Sequence, residues 1–326
     1  MQPFKQSVMF ARKSCLLTLT GVTGQKSGAF FAKYLAKNKK LLSNLFDGIR
    51  VICRASSDTD NVTQLLPEAE ICRGSFENQE FLEQTMQGTD TVIHIAGIQR
   101  SRLLVDAAIR QQVRRLILVH TTGIYSKYKE AGEEYRCIDA YVTEQCATHG
   151  IVLTILRPTM IYGNRSDQNV IKFIRMVDKL PIMPIVNDAR YALQPVHYKD
   201  LGKAYFDVLM NEEATSNKNY DLSGGEVIDL RDMLEVIGEN LGKKVKFVSC
   251  PYFLAYPGAW LVHVLTLGKM DFREKVQRLC EPRAYSHEAA VRDFGYAPMT
   301  FREGIVDEVR EYLDRKWNGE NGCMRA

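Results

Sequence analysis

Residues 15–28 read CLLTLTGVTGQKSG and place a glycine-containing turn directly after a short apolar run. The apolar run, 15–19, is typical of a strand that is buried on both faces. Residues 29–35 then have the apolar spacing of a helix with one buried side. Strand, glycine turn and helix form the setting in which a dinucleotide pyrophosphate binds to backbone N–H groups at a helix N-terminus. Alone, the pattern leaves a nucleotide site and an ordinary strand-to-helix connection open, because glycine turns join these elements in many folds.

The composition is that of an ordinary soluble protein with one large or two coupled domains. The chain has 326 residues, of which 45% are hydrophobic and 25% are charged. The net charge of +4 favours anionic ligands, but the basic residues form no single block that would predict nucleic-acid binding. The eight cysteines are scattered and include no Cys-x-x-Cys pair, so neither a metal site nor a disulfide framework is indicated. A reducing, cytoplasmic location is expected.

The two ends and one apolar stretch complete the organisation. Residues 1–14 are predicted to be a flexible leader, since they lack the apolar core and cleavage site of a signal peptide. Residues 317–326 are polar and are predicted to be a frayed tail. The longest apolar stretch, 252–267, is interrupted by Pro257 and Gly258 and falls short of the roughly 20 residues that a membrane span needs. A buried or surface-packed helix is favoured there over a membrane-associated one.

Strand and helix signals alternate through the first half of the chain. Strands are predicted at 49–54, 70–73, 91–96, 116–120 and 151–156, and helices at 78–87, 103–112 and 138–149. This order predicts an α/β fold in which residues 15–165 form a Rossmann-type, doubly wound parallel sheet. Ligands of such sheets bind at the carboxyl ends of the strands, which here are 21–28, 54, 74–76, 96–97, 121–122 and 157–159.

The second half has a different character. Its predicted helices are 170–179, 199–210, 230–241 and 301–315, and its short strands are 220–222 and 245–248. These patterns predict a smaller, mainly helical C-terminal lobe over 166–316 that is interleaved with the first domain. Asp200 and Asp229 are the predicted N-caps of the second and third of these helices.

Six segments, in this order along the chain, resemble the extended and atypical branch of the short-chain dehydrogenase/reductase superfamily, which includes NAD-dependent nucleotide-sugar epimerases and dehydratases. The resemblance covers nearly the whole chain after residue 14 and implies that the C-terminal lobe binds the substrate. The segments are TGVTGQKSG (20–28), VIHIAG (92–97), LILVHTTGIYS (116–126), LTILRPTMIYG (153–163), LQPVHYKDLGKAY (193–205) and YSHEAAVRDFGYAPMTFREGI (285–305).

The resemblance implies a cofactor site along the strand ends, with one departure in the glycine turn. The usual third glycine of the family falls at Ser27, and Gly28 follows it. Either the turn has one additional residue, or a serine takes the glycine position and donates to a phosphate oxygen. Lys26 is either a charge beside the phosphates or a solvated surface lysine. The cofactor-binding residues implied in this way are Gly21, Thr23, Gly24, Gln25, Lys26, Ser27, Gly28, Arg54, Ser75, Phe76, Ala96, Gly97, Pro158 and Thr159.

The end of the second strand favours one cofactor over the other. An Asp or Glu at this position accepts from the ribose 2′-hydroxyl of NAD, whereas an arginine accommodates the 2′-phosphate of NADP. This chain has Arg54 there and no carboxylate before Asp58. A guanidinium binds phosphate through two parallel hydrogen bonds, so NADP is predicted, with NAD as the alternative. The competing interpretation is an arginine that stacks on the adenine without discriminating.

The catalytic set of the family is a Ser or Thr, a Tyr, and a Lys four residues after the Tyr. Thr121 matches the first position, with Thr122 as the second choice, and Tyr135 matches the tyrosine that transfers the proton. The lysine position falls at Asp139. A carboxylate there disfavours tyrosinate and removes the ammonium group that binds the nicotinamide ribose.

Several other residues carry weaker signals. Tyr125 and Lys129 have the literal Tyr-x-x-x-Lys spacing, but they directly follow the fifth strand and are interpreted as a chance match. The histidines within apolar strands are interpreted as core residues with satisfied hydrogen bonds. Any of three arginines in the second half is a candidate to bind the phosphates of a nucleotide diphosphate, although a solvated surface role is favoured for each alone. The histidines are His94 and His120, and the arginines are Arg190, Arg273 and Arg283.

Two functions remain open at this point, beside a third and weaker hypothesis of peripheral membrane association through residues 252–267. The first is an NAD(P)-dependent oxidoreductase, epimerase or dehydratase that acts on a carbonyl or hydroxyl group of a small molecule, in particular a nucleotide sugar. The second is a non-catalytic NADP-binding sensor or assembly subunit of the same fold, which the carboxylate at Asp139 favours. Neither a nucleic acid nor a membrane is expected as a partner, and a homodimer is compatible with the sequence.

Overall fold

The computed structural model describes residues 15–24, 26–128, 130–164, 166–265 and 273–323. The predicted leader therefore lies outside the described residues, and so do Gln25 and Lys129. The elements of the first half are β1 (Leu16–Thr20), α1 (Ser27–Lys37), α2 (Lys39–Leu42), β2 (Gly48–Cys53), α3 (Asp60–Leu65), β3 (Glu70–Arg73), α4 (Gln79–Thr85), β4 (Thr89–His94), α5 (Ser101–Arg110), β5 (Arg115–Val119), α6 (Gly132–Thr148) and β6 (Val152–Pro158).

The second half continues with shorter strands and more helices. Its elements are β7 (Ile161–Tyr162), α7 (Val170–Lys179), β8 (Met183–Val186), β9 (Ala192–Leu193), β10 (Val196–His197), α8 (Tyr198–Met210), α9 (Glu212–Thr215), β11 (Lys218–Leu222), β12 (Ile228–Asp229), α10 (Leu230–Asn240), β13 (Phe247–Cys250), α11 (Tyr252–Leu265), α12 (Arg273–Leu279), α13 (Glu288–Phe294) and α14 (Phe301–Cys323).

Among the described residues, seven strands form one central sheet in the order β11-β6-β5-β4-β1-β2-β3. Every neighbouring pair in it is parallel. The chain runs outward from β1 to β3 and then returns to the other side of β1 at β4. The predicted Rossmann-type sheet is thus confirmed. The change of direction between β1 and β4 opens a crevice at their carboxyl ends, which is where such sheets bind ligands.

Apolar layers cover both faces of the sheet. On one face, Leu17 and Leu19 of β1 pack against α1 and α8. On the other face, residues of β4 and β5 pack against α5 and α6. These strands are buried on both sides, which explains their nearly continuous apolar sequences.

The second half is interleaved with the first. The helix α8 packs along α1, and β11 pairs with β6 to complete the sheet. A separate apolar cluster joins α7, α10 and α14 and forms the core of the smaller lobe. The division at residue 165 therefore separates stretches of sequence that share one sheet.

Two details differ from the sequence predictions. The helix predicted at 138–149 begins six residues earlier, at Gly132 of α6. Its first turn is polar and carries Glu133 and Glu134, which stabilise a helix N-terminus by their charge but give no apolar signal. The prediction that Asp200 caps α8 is wrong. His197 is the N-cap and accepts a hydrogen bond from Lys199 N, whereas Asp200 accepts one from Met299 N at 3.0 Å.

The prediction that Asp229 caps α10 is confirmed, since its side chain accepts a hydrogen bond from Asp232 N at 2.8 Å. The apolar stretch predicted as a buried or surface-packed helix forms α11, and its described side chains include exposed ones. Within the described residues, no helix is long and apolar enough to cross a membrane.

The helix α14 brings a buried carboxyl group to the end of β7. The Oε2 atom of Glu308 accepts a hydrogen bond from Gly163 N at 2.7 Å, and the residue has no exposed surface. Burial raises the pKa of Glu308 to about 8, and the nearby carboxylate of Asp167 adds to the rise. The folded chain therefore holds a proton at neutral pH that the unfolded chain has released.

Replacing this carboxyl group is expected to flatten the pH dependence of stability. Because the folded-state pKa of Glu308 is raised, its contribution is intact in acid and is lost as pH rises from about 4.3 through about 8. In Glu308→Gln the amide still accepts from Gly163 and never ionises. Urea midpoints measured between about pH 5 and pH 9 should therefore fall less for this variant than for the native chain. Asp314→Asn, exposed on the same helix, is the matched control; equal slopes for native and Glu308→Gln chains would contradict the assignment.

Candidate cofactor and substrate site

The glycine turn closes tightly between β1 and α1. Gly21 has φ +78°, a left-handed conformation that favours glycine. A Cβ atom at Gly28 would lie 2.1 Å from Gly21 O, so no side chain fits at this point. Ser27 is buried, and its Oγ accepts a hydrogen bond from the Tyr205 hydroxyl at 3.4 Å. Of the two readings of this turn, the geometry favours an additional residue, because Gly28 occupies the close contact and Ser27 faces α8.

The N-terminus of α1 is open to an anion. No acidic residue lies in its first turn, and the side chain at its N-cap position, Lys26, makes no capping hydrogen bond to the described residues. The backbone N–H groups of a first helical turn have no partner inside the helix and attract negative charge. Lys26 lies at the N-cap position with an exposed side chain. This end of α1 therefore has the chemistry that a pyrophosphate requires.

A cavity of about 680 Å³ extends from this turn across the carboxyl ends of the strands. Most of the residues predicted to bind the cofactor line it together: Gly21, Thr23, Gly24, Lys26, Ser27, Gly28, Arg54, Phe76, Ala96, Gly97 and Pro158. Ser75 does not line this cavity, and its hydroxyl accepts a hydrogen bond from Glu77 N in a local turn. Thr159 lines the neighbouring cavity instead.

Arg54 lies at the far end of this cavity, where β2 ends. Ser56, Ser57 and Asp58 line the cavity beside it. The Arg54 side chain is exposed and has no hydrogen bond or ion pair to any of the described residues. Arg73 holds the adjoining loop by donating to Ser57 O at 2.8 Å and to Thr59 at 2.6 Å. A cationic side chain with free donors and two neighbouring hydroxyl groups is suited to a phosphate monoester.

A second cavity, of about 320 Å³, adjoins the first. The two share Lys26, His120, Pro158 and Ile161 as lining residues. Thr121 and Thr122 line the second cavity at the end of β5, together with Thr159 after β6. A ligand in the second cavity is therefore adjacent to the inner end of the first.

Two arginines from the C-terminal lobe line the second cavity. They are Arg278 on α12 and Arg283, and Tyr285 lies beside them. The Nε atoms of both guanidinium groups are buried and have no hydrogen-bond partner among the described residues. Burial lowers the pKa of Arg283, which is a sign of incomplete compensation of its charge. An anionic group in this cavity would provide the missing partner.

The tyrosine predicted from the family pattern lies elsewhere. Tyr135 lies on the buried side of α6, in the apolar core that covers this face of the sheet, and is 8% exposed. Its hydroxyl accepts a hydrogen bond from Gln99 Nε2 at 3.1 Å. It lines neither of the two cavities described above. The structure thus brings Thr121 to the substrate side of the site and does not bring Tyr135 there.

Asp139, one helical turn further along α6, joins a buried ionic network. Its carboxylate accepts from His120 Nδ1 at 2.8 Å and from the Arg157 guanidinium at 2.7 Å. Burial acts to raise the pKa of Asp139, but the hydrogen bonds from His120 and Arg157 outweigh it and leave the pKa below its usual value. Burial also lowers the pKa of His120, which is therefore neutral and accepts from Ser101 at Nε2. Sequence reasoning identified Asp139 but missed this pairing with Arg157.

Other predicted residues have local partners. His94 is fully buried between Thr20, at 2.7 Å, and Gly97 O, at 3.0 Å, and burial lowers its pKa to about 4. Arg190 forms ion pairs with Asp229 and Asp232 outside the cavities. The hydroxyl of Tyr125 donates to Asp221 Oδ1 at 3.1 Å.

Comparison with known proteins agrees with this architecture. A family model described as NAD(P)H-binding matches residues 38–178. The chain is 20% identical to N-acetyl-alpha-D-glucosaminyl-diphospho-ditrans,octacis-undecaprenol 4-epimerase of Escherichia coli O157:H7, across 73% of this chain and 82% of that protein. It is 21% identical to subunit 9 of the NADH dehydrogenase [ubiquinone] 1 alpha subcomplex of Arabidopsis thaliana, mitochondrial, across 73% of this chain and 61% of that protein.

Among solved structures, dTDP-glucose 4,6-dehydratase (DesIV) of Streptomyces venezuelae, with NAD and TYD bound, superposes with a TM-score of 0.69. It is 17% identical, and the match covers 93% of this chain and 98% of that one. The fold is therefore of the Rossmann type, and residues 38–178 match a family of NAD(P)H-binding domains. The solved structures that share this fold include dTDP-glucose 4,6-dehydratase and UDP-glucose 4-epimerase.

Proposed function

We propose that this chain is an NAD(P)-dependent enzyme that acts on a hydroxyl or carbonyl group of a sugar carried on a diphosphate. The observation that carries this proposal is the second cavity. It shares four lining residues with the cofactor cavity, and it combines threonine hydroxyl groups with two arginines that have buried, unpartnered Nε atoms. A protein that only bound a dinucleotide would have no need of a second, cation-lined cavity. The relatives named for sugar diphosphates agree with it.

In this proposal, residues of the first cavity would bind the cofactor and residues of the second cavity would bind the substrate. When bound, the nicotinamide supplies hydride transfer. The N-terminus of α1 would hold the pyrophosphate, and Pro158 and Ile161 would border the nicotinamide, since they line both cavities. Arg278 and Arg283 would hold the substrate phosphates. Thr121 already accepts a hydrogen bond from Gly123 N at 3.0 Å, so its hydroxyl hydrogen is available to a substrate oxygen.

The proton donor of the family pattern, Tyr135, is enclosed in this structure. Tyr135 can act as the proton donor only if its hydroxyl group leaves the Gln99 amide, which now donates a hydrogen bond to it. Asp139 stands at the family's lysine position and provides no positive charge to lower the pKa of a catalytic tyrosine. Its own negative charge is compensated by Arg157. The proton-transfer step therefore differs from that of the family pattern.

Arg54 makes NADP the proposed cofactor, and its replacement tests this choice. In Arg54→Glu the cation that faces the 2′-phosphate becomes an anion, so the Kd for NADPH should rise by roughly 30-fold or more while that for NADH changes by less than about threefold. Calorimetric titration measures both. Lys40→Glu, an exposed site outside the cavity with the same change of charge, is the control. Equal affinities of the native chain for the two cofactors would contradict a 2′-phosphate site.

The proposed activity is tested by hydride exchange between bound NADP and a panel of sugar diphosphates. The panel contains dTDP-glucose and undecaprenyl diphospho-N-acetylglucosamine, the substrate classes in the names of the relatives. Arg283→Met should weaken substrate binding by roughly tenfold or more and leave NADPH binding unchanged, because Arg283 lines only the substrate cavity. Arg190→Met, which removes an arginine outside both cavities, should change neither. Cofactor binding without exchange on any member of the panel would count against an enzyme.

The second candidate, a non-catalytic cofactor-binding subunit, is favoured by the network at Asp139. The similarity to a subunit of NADH dehydrogenase agrees with it. Restoring the lysine of the family does not restore the family's chemistry here, because Asp139→Lys would place an ammonium group against the Arg157 guanidinium, which now lies 2.7 Å from that carboxylate. Under this candidate the native chain binds NADPH tightly and shows no exchange.

A further inference from the structure

The surface around α11 is apolar in a way that the cofactor site does not explain. Phe253 is 71% exposed, Leu254 is 56% exposed and Trp260 is 51% exposed. Tyr252 and Tyr256, one turn apart, stack their rings at 5.8 Å. Residues 247–268 contain no Asp, Glu, Lys or Arg. Large exposed apolar side chains clustered on one helix mark an interaction surface.

Basic residues border this uncharged stretch on both sides. Lys244 and Lys246, which are exposed, precede it before β13. Arg273 and Lys275 follow it on α12, with the acidic Glu274 between them, so the lysines before β13 are the more uniformly basic flank. An uncharged helix with aromatic residues between basic flanks is the composition that binds the interface of an anionic bilayer, where aromatic rings enter the headgroup region and lysines face the phosphates.

The length of α11 decides how it would meet a membrane. Its 14 residues span about 21 Å, less than the roughly 30 Å of a hydrocarbon core. Pro257 lies within it. The described part of α11 is therefore too short to cross the bilayer, and an apolar segment of 10–14 residues suits an interfacial position.

The position of α11 connects this surface to the substrate cavity. It packs against α12, which carries Arg278 into the second cavity. The backbone N–H of Tyr252 also donates to Asn187 at 2.8 Å, which ties the start of α11 to the lobe. A bilayer bound at α11 would therefore lie next to the lobe that carries the two cavity arginines.

We propose that α11 docks the chain on the surface of an anionic bilayer. The exposed aromatic and aliphatic side chains of Phe253, Leu254 and Trp260 enter the interface, and Lys244 and Lys246 contact lipid phosphates. Resting on the proposed function, this location selects sugar diphosphates whose other end is a lipid. The docking itself is measurable without any turnover, so its failure and that of the proposed activity are distinguishable.

Vesicle flotation tests the docking. The full chain is mixed with vesicles of phosphatidylcholine containing phosphatidylglycerol, and with phosphatidylcholine vesicles alone. Native chain should float with the anionic vesicles, less with the neutral ones, and less again at high salt. The triple variant Phe253→Ser, Leu254→Ser, Trp260→Ser should reduce the vesicle-bound fraction by roughly tenfold or more. Retained NADPH binding shows that the variant is folded.

A matched control removes equally exposed apolar side chains elsewhere. Leu41→Ser, Leu45→Ser, Val227→Ser changes three such residues outside α11 and should float like the native chain. Flotation of the α11 triple variant at the native level would overturn the proposal, as would native chain that stays unbound on anionic vesicles. A third outcome is a native chain that is dimeric in solution and an α11 triple variant that is monomeric, with neither protein floating. That outcome would assign the surface to a second copy of this chain and would also overturn the bilayer proposal.

Discussion

Gly28→Ala should lower the free energy of unfolding by about 3 kcal/mol or more and abolish cofactor binding. The added Cβ would lie 2.1 Å from Gly21 O and 2.9 Å from Gly21 C. Both are backbone atoms, so neither can move aside as a flexible side chain does. The turn between β1 and α1 must open to accept the methyl group, and the N–H groups at the start of α1 lose their arrangement. Urea denaturation and calorimetric titration with NADPH measure the two effects.

Gly24→Ala is the matched control, because no heavy atom lies within 4 Å of a Cβ built on Gly24. Its stability should stay within about 0.5 kcal/mol of native. Its affinity for NADPH should nevertheless fall, since this glycine lets the pyrophosphate approach the backbone. The two variants therefore separate the packing of the turn, which depends on Gly28, from its binding of the pyrophosphate, which depends on Gly24. Native stability in Gly28→Ala would show that the turn is looser than described and would remove the basis for the phosphate site.

Asp139→Asn is the second substitution with a large expected effect. The change removes the negative charge and leaves Arg157, which is 6% exposed, without its hydrogen-bonded counter-ion. Breaking a buried pair by removing one partner costs about 3–5 kcal/mol, because the remaining charge is uncompensated. We expect a loss of about 3 kcal/mol in the free energy of unfolding. Glu133→Gln on the same helix breaks the exposed pair with Arg136 and should cost less than about 1 kcal/mol.

The pH dependence provides a second check on this network. Because the folded-state pKa of Asp139 is lowered, its contribution is present above about pH 4 and is lost as pH falls further. The gap in stability between native chain and Asp139→Asn should therefore narrow in acid. His120, whose pKa burial lowers, removes stability in both chains as pH falls below about 6.5. A gap that is constant down to about pH 3 would show that the carboxylate charge is not what holds Arg157.

The sheet could be predicted because its signals are local. Each buried strand is a short apolar run followed by glycine, threonine or another polar residue. Both the strands and their carboxyl ends can therefore be predicted from the sequence. The predicted cofactor residues lie together for the same reason, because parallel strands end at one edge of the sheet. Ser75 is predicted from the family pattern but does not line the cavity. Its hydroxyl accepts a hydrogen bond from Glu77 N, a local contact that the pattern does not reveal.

The substrate side could be predicted only in part, since its contacts join distant parts of the chain. Arg278 carries no sequence signal, and it reaches the second cavity because it lies on α12, which packs against α11. The pairing of Asp139 with Arg157 joins α6 to β6, and only the fold brings them within 2.7 Å. Tyr135 has the family's spacing, but its direction into the core depends on how α6 packs against α5 and the sheet.

Calorimetric titration of the native chain with NADPH and with NADH shows whether the cavity at the strand ends holds a dinucleotide. The glycine turn, the open N-terminus of α1 and the cavity that ends at Arg54 predict one site per chain, with NADPH bound more tightly than NADH. Failure to bind either nucleotide would contradict the assignment of this cavity as a cofactor site.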